Sequence, residues 1–351
     1  MSGAPPRRRA RVSAPTITLA HGSGGKAMRD LIEDVFLGAF DNPLLAPLED
    51  QARVRLAALA AGGDRLAITT DSYVVTPLVF PGGDIGRLAV CGTVNDLAVG
   101  GARPLYLPCG MIMEEGLPLA MLRQIVDSMR EAAEEAGVAI VTGDVKVVHK
   151  GAADALFINT AGIGVIPAGV DLAAGNLRPG DGILVSGALG DHGITVLAAR
   201  GELDFETDLR SDCRPLGGLS RAMLDACPGI RALRDVTRGG LGAVLNEFAT
   251  ASGVRIEIEE AALPVRPEVR SAAELLGLDV LYLACEGALA AAVPAGEVER
   301  VLEAMRAHPH AAGAALIGEV GEGRPGVLMR TTFGSSRMVD MPLGEQLPRI
   351  C

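Results

Sequence analysis

Four aspartates, Asp71, Asp96, Asp144 and Asp235, stand at the ends of apolar segments or in turns. A carboxylate in such surroundings is costly unless something answers its charge. Hard cations such as Mg2+ want carboxylate oxygens, shared with the oxygens of a substrate phosphate. Glycine turns next to the aspartates offer backbone N–H groups for those phosphates. One is His21-Gly22-Ser23-Gly24-Gly25-Lys26, which runs into a helix; the other is Asp235-Val236-Thr237-Arg238-Gly239-Gly240. A turn that opens a helix is a place where N–H groups meet an anion. The first is no P-loop, because Lys26 is followed by Ala27 and the leading glycine falls at the wrong offset. Carboxylates with glycine loops, lacking a P-loop or kinase signature, point to a nucleotide site of a less common kind. The plainer alternative is that each aspartate caps a helix or a turn, and that the glycine turns are flexible connections.

Three further residues have chemistry to offer. Lys146 and Glu286 lie beside strongly apolar strands, either as snorkelling surface groups or as members of a site. Cys351 is the last residue, at the end of a stretch (334–345) that shows neither helical nor strand periodicity. Pro342 and Pro348 keep that stretch extended. About fifteen such residues span roughly 50 Å. A tail of this kind can carry a thiol to another protein and bring it back to its own body; the bland reading is a frayed end that finishes in cysteine.

Strands and helices alternate through both halves. Met28, Leu31, Ile32, Val35 and Phe36 mark one buried helical face. Leu66–Thr70 reads as a strand ending at Asp71-Ser72, and Pro81–Gly86 as a turn opening a helix with Asn95-Asp96 near its middle. In that small, apolar helix the pair implies either an exposed helix end or a carboxylate holding a cation, and the cation is the favoured reading. A helix from Pro118 to a Gly137 cap precedes a strand at 138–142 that stops at Gly143-Asp144-Val145-Lys146, and 155–166 is a further strand. After a linker at 167–180, strands are expected at 182–186, 254–258 and 315–317, with helices after Gly190 and Gly240 and near 267–276 and 297–307. The layering is α+β or α/β, with sheet covered by helices. The boundaries are a disordered basic arm over 1–15, an N-terminal domain over 16–167, a C-terminal domain over 168–332 and a mobile tail over 333–351.

Composition narrows the function classes. Forty-five glycines, 3% aromatics and no tryptophan favour tight turns and backbone-lined sites over stacking platforms. The net charge of −11 argues against a nucleic-acid partner. No apolar run reaches the ~18 residues of a membrane span. The basic opening is not followed by an apolar signal region. The six cysteines form no C-x-x-C pair and no zinc spacing, and five sit in apolar contexts as core thiols, so the compartment reads as reducing and cytoplasmic.

The ordered set of motifs carries a resemblance. His21–Lys26, Thr70–Val75, Phe80–Gly86, Gly92–Ala98, Thr142–Val148, Gly190–Gly193, Thr237–Leu241, Cys285–Gly287 and the final Pro348-Arg349-Ile350-Cys351 are together similar to the HypE family of hydrogenase maturation factors. The likeness covers essentially everything after residue 15. It implies the α+β two-domain fold of aminoimidazole ribonucleotide synthetase (PurM-like), an N-terminal sheet domain that forms a homodimer, and ATP bound against it. It also implies a reaction. The carbamoyltransferase HypF would load a carbamoyl group on Cys351, ATP would phosphorylate its oxygen, and loss of phosphate would leave a thiocyanate. The cyanide would pass to a HypC–HypD complex and become an iron ligand of [NiFe]-hydrogenase. By matching position, Asp71, Asp96, Asp144 and Asp235 would hold Mg-ATP, with His21–Lys26 and Arg238-Gly239-Gly240 near the phosphates. Lys146 and Glu286 would lie at the thiocarboxamide as polarising and proton-accepting groups.

Two positions depart from the family pattern: Val236 stands where proline is common, and Cys285 where asparagine commonly precedes Glu-Gly. A selenophosphate synthetase would share the ATP chemistry, but it would use a reactive cysteine near the N-terminus, and none precedes Cys91. A non-catalytic scaffold docking maturation partners through its tail would have no use for the aspartates, Lys146 or Glu286.

Overall fold

The computed structural model describes residues 12–201, 207–344, 347 and 349–351. Strands β1 (Arg65–Tyr73), β2 (Arg103–Glu114), β3 (Ala139–Val148) and β4 (Leu156–Ile166) form one sheet in the order β1-β4-β2-β3. Only β2 and β3 run parallel, and the Leu119–Ala136 helix supplies the crossover that a parallel pair requires. Alternation gives this sheet two unlike faces. On the inner face Tyr73, Thr160, Cys109 and Val145 are buried beneath the Ile85–Val99 and Leu119–Ala136 helices. On the outer face Leu66, Ile68 and Ile112 remain 52%, 70% and 43% exposed.

A second sheet collects β5 (Gly182–Val185), β6 (Ala232–Asp235), β7 (Arg255–Glu259), β8 (Leu289–Val293), β9 (Ala315–Gly321), β10 (Gly326–Arg330) and β11 (Ser336–Val339). Their order is β11-β10-β7-β9-β5-β8-β6, with only β7 and β10 parallel. Phe248, Ile256 and Ile317 fill one side, and Leu219, Met223 and Met305 the other. The architecture is α+β.

The Ile85–Val99 helix joins the two halves. Asp84 caps it by accepting the Arg87 N–H at 2.9 Å. All its residues except Arg87 and Asp96 are buried, as befits a helix that is apolar on every side. Asn95 is its polar clamp: Oδ1 accepts the Leu216 N–H at 2.7 Å, and Nδ2 donates to the Arg214 carbonyl at 3.1 Å. Ser220 Oγ adds a bond to the Ala98 carbonyl at 2.7 Å.

Several expectations are corrected. β2 was not foreseen, because Pro104, Pro108 and Gly110 interrupt its pattern; pairing on both edges holds it as strand. β3 does not stop at Thr142 but continues through Gly143–Lys146 to Val148, so Asp144 and Lys146 are strand residues and not turn residues. Asp71 likewise lies within β1, and Asp96 falls in the last turn of its helix, not the middle. Ser336–Val339, expected to lie in a free tail, pairs with β10 as an edge strand. Val12–Pro15, expected in a disordered arm, are tied down: the Val12 N–H donates to Asp34 at 2.7 Å and the Pro15 carbonyl accepts from Leu119 at 2.9 Å. The rest of that arm (1–11), with Glu345 and Pro348 of the tail, lies outside the described residues.

Asn95→Ala leaves the Leu216 N–H and Arg214 carbonyl buried without that partner, at about 1–3 kcal/mol each. The expected loss, measured by urea unfolding, is about 2–6 kcal/mol, whereas an exposed change such as Leu56→Ala should be near neutral.

Candidate active site

Asp71, Asp96 and Asp235 converge. Inward alternation along β1 aims Asp71 at the Ile85–Val99 helix, whose last turn presents Asp96, while β6 ends at Asp235. Thr69 Oγ1 donates to Asp96 at 2.8 Å, and Arg238 stands 4.0 Å from Asp71. Burial pushes the Asp235 carboxyl up to about 7, with the negative charges of Asp96 and Asp71 adding to the rise. Burial raises Asp96 as well, against the Thr69 hydrogen bond, and Asp71 adds repulsion.

Glu286 belongs to the same group. Its carboxyl is pushed well above the usual range by burial first, then by Asp235, Asp212 and Asp71. Its Oε1 is buried with no hydrogen-bond partner among the described residues. Its backbone is fixed firmly: Asp212 accepts the N–H groups of Glu286 and Gly287 at 3.0 and 3.1 Å, and the Glu286 carbonyl accepts from Arg214 at 3.3 Å.

The donor chemistry suits a hard cation, since crowded carboxylates and a partnerless buried oxygen both call for positive charge. Among the described residues no three His, Cys, Asp or Glu side chains already stand together as a ligand set. Phosphate oxygens would therefore have to complete the shell of a bound Mg2+. The four aspartates are not one cluster within a chain. Asp71 pairs in register with Thr160, Thr160 with Cys109, and Cys109 with Gly143, one residue before Asp144. Asp144 thus sits about 14 Å away across three strand spacings, with its side chain on the opposite face. Lys146, two residues on, shares that outer face, is 61% exposed and pairs with Asp144 at 2.8 Å.

The glycine loop packs on β3. A Cβ on Gly22 would meet the Val147 nitrogen at 2.5 Å, so only glycine permits the approach. His21 Nδ1 accepts the Thr18 N–H at 3.0 Å, and Ser23 Oγ donates to the Ala20 carbonyl at 3.1 Å. Lys26, at the start of the Lys26–Leu31 helix, pairs with Asp30. The second turn ends at Gly239 and Gly240, both at positive φ, and a Cβ on Gly240 would lie 2.5 Å from the Leu281 carbonyl. The two departures from the family pattern are accommodated here. Val236 donates its N–H to the Ala288 carbonyl at 3.0 Å, a bond proline would lack, and Cys285 Sγ accepts the Gly190 N–H at 3.2 Å.

The chain end lies against this site. The Val74 N–H, one residue beyond β1, donates to the main-chain oxygen of Cys351 at 3.1 Å. Ile350 is buried, and Cys351 packs against the core that holds Tyr73, Cys91 and Cys213. Sequence reasoning missed Asp212 and the residues that receive the tail: Val74, Asp154, His192 and Arg200. His192 stood visibly at a helix start, but its partner lies 158 residues on. Asp212, a lone acid in an irregular segment, gave no signal.

Comparison with known proteins follows the same lines. The family models for AIR synthase related protein match residues 48–166 (N-terminal domain) and 178–330 (C-terminal domain). The carbamoyl dehydratase HypE of Rhodobacter capsulatus is 60% identical over 336 residues, covering 95% of this chain and 98% of its own. A solved HypE in complex with ATP superposes with a TM-score of 0.90 at 48% identity, covering 95% of this chain and 99% of that one. A HypE–HypF complex matches with a TM-score of 0.77 at 48% identity, covering 89% and 99%.

The raised Asp235 gives a signed expectation. With a folded value of about 7 against an ordinary 3.8, the folded chain holds the extra proton between those values, so stability falls as pH rises through that window. Asp235→Asn should therefore raise the melting temperature of the ligand-free protein, by more at pH 8 than at pH 5, in thermal unfolding followed by circular dichroism.

Proposed function

This chain belongs to the HypE family of carbamoyl dehydratases, hydrogenase maturation proteins, and we propose that it dehydrates an S-carbamoyl group on its own Cys351 at the expense of ATP. The observation that carries this reading is the docked chain end. The Val74 hydrogen bond holds Cys351 three residues, about 10 Å along an extended backbone, from Asp71 of the carboxylate group. HypF, which the complex of a relative pairs with HypE, would supply the carbamoyl group. A HypC–HypD complex would take the product toward the iron of the hydrogenase, in a cytoplasmic setting that suits five buried, free cysteines.

The carboxamide oxygen attacks the γ-phosphorus of ATP and ADP departs. The carbon–oxygen bond then breaks, phosphate leaves, and the nitrogen gives up two protons, so that S–C(=O)NH2 becomes S–C≡N. Asp71, Asp96 and Asp235 would hold Mg2+, which supplies charge neutralisation for the triphosphate. The backbone of the His21–Lys26 loop and the Arg238–Gly240 turn would face the phosphates. Of the nitrogen's two protons the departing phosphate carries one, and Glu286 would take the other once a bound cation offsets the neighbouring carboxylates that raise its proton affinity. Seating the sulfur by the main chain makes the attack intramolecular, which lowers its entropic cost.

Asp144 and Lys146 fit this scheme through a homodimer. They share the outer sheet face with exposed Ile68 and Ile112, an apolar surface a second copy would cover. From that interface Lys146 reaches the other chain's site. Two arrangements are then separable. Lys146→Ala and Cys351→Ala homodimers should each fail to form thiocyanate, while heterodimers of the two should regain a substantial fraction of the wild-type rate. Heterodimers as inactive as either parent would place Lys146 in its own chain's chemistry. Ile68→Asp should shift the mass in solution from dimer to monomer.

A further inference from the structure

Three successive main-chain oxygens at the chain end are each gripped by the body. Arg200 Nη2 donates to the Arg349 carbonyl at 2.8 Å, His192 Nε2 to the Ile350 carbonyl at 2.8 Å, and the Val74 N–H to the Cys351 oxygen at 3.1 Å. Arg349 reaches back to the Val74 carbonyl at 3.1 and 3.2 Å and pairs with Asp154. Ile350 inserts its side chain into the first core. Arg349 sits at a φ of +55°, a conformation that costs a non-glycine residue roughly 1 kcal/mol and persists only where neighbours impose it. In all three grips the tail contributes a main-chain oxygen.

His192 is built for this task. The Cys213 N–H donates to Ser211 Oγ at 3.1 Å, leaving the hydroxyl proton for His192 Nδ1 at 2.8 Å. That assigns the remaining proton to Nε2, the atom facing the Ile350 carbonyl. Phe80 meets the ring edge-on, with centroids 5.5 Å apart. Burial lowers the imidazole to about 4, so it stays neutral in the working range. Arg200 Nε also holds the Thr76 carbonyl at 2.9 Å, which anchors its guanidinium to the segment following β1.

We propose that His192 and Arg200, with the Val74 N–H, form a clamp that reads the main chain of the tail and sets the register at which Cys351 presents its sulfur. They are positioning residues; neither touches the reacting atoms. The clamp rests on the dehydratase reading for its purpose, but its existence is testable without it. Release of the tail frees all three grips together and exposes the thiol to a partner, whereas docking returns the main chain of Cys351 to the same place.

The test uses the full-length protein. The other five cysteines are buried, so a brief iodoacetamide pulse on the native protein, read by mass against a Cys351→Ala background, reports exposure of Cys351. His192→Phe keeps the ring and removes the donor; His192→Gln keeps a donor amide; Arg200→Met, at a half-buried position, guards against a folding defect in the first. Losing one such bond should raise the alkylation rate about five- to tenfold, the worth of roughly 1 kcal/mol. His192→Gln should restore most of the protection. Dehydration of HypF-loaded protein should slow in His192→Phe and Arg200→Met, with loading by HypF no slower. Unchanged alkylation in both variants would overturn the clamp. Faster alkylation with dehydration at the wild-type rate would overturn its positioning role. If the wild-type protein itself never dehydrates the loaded cysteine, the dehydratase reading fails, and the alkylation rates still decide the clamp.

Discussion

Like charge held out of water is the constraint on which this structure turns. Asp71, Asp96, Asp235 and Glu286 come from a strand, a helix end, a second strand and a loop, two from each half of the chain. Burial raises the cost of ionising Asp96, Asp235 and Glu286, and Asp71 adds to all three, Asp96 to Asp235 and Asp235 to Glu286. Nothing in apolar packing calls for such a group. It persists because the surrounding elements are fixed by interactions of their own, and a positively charged ligand would relieve it.

Those fixing interactions run through one helix. Ile85–Val99 is apolar on nearly every side, so it must be covered by the first sheet below and by the second half above. Asn95 turns that burial into a defined orientation by satisfying one N–H and one carbonyl across the junction. Asp96, the next residue, is thereby aimed at the seam between the halves. Docking of the chain end uses the same seam: Val74 comes from the first half, His192 and Arg200 from the second. A change in how the halves sit would therefore alter the carboxylate group and the tail seat together.

Much of this was legible in the sequence. Glycine turns, helical faces and the terminal cysteine are local signals, and the ordered motifs pointed to the family and its α+β fold. Pairing was less legible. β2 carries two prolines and a glycine, and only its neighbours make it a strand. Asp144 and Lys146 looked like turn residues because a glycine precedes them, yet strand continuity puts them on the far face from Asp71. The last residues of the tail gave no signal because three of their holding groups are main-chain oxygens, which leave no pattern in side chains. Asp212 acts on the backbone of a residue 74 positions away, a relation that only the folded chain reveals.

The most direct measurement is the mass of the Cys351-bearing peptide through a single turnover. The protein is first loaded by HypF with carbamoyl phosphate, then freed of it and given Mg-ATP. The account predicts that the carbamoyl adduct loses the mass of one water, with one ADP and one phosphate formed for each thiocyanate. An adduct that keeps its full mass while ATP is hydrolysed would contradict it, and would leave this chain a carrier of the carbamoyl group without the chemistry that converts it.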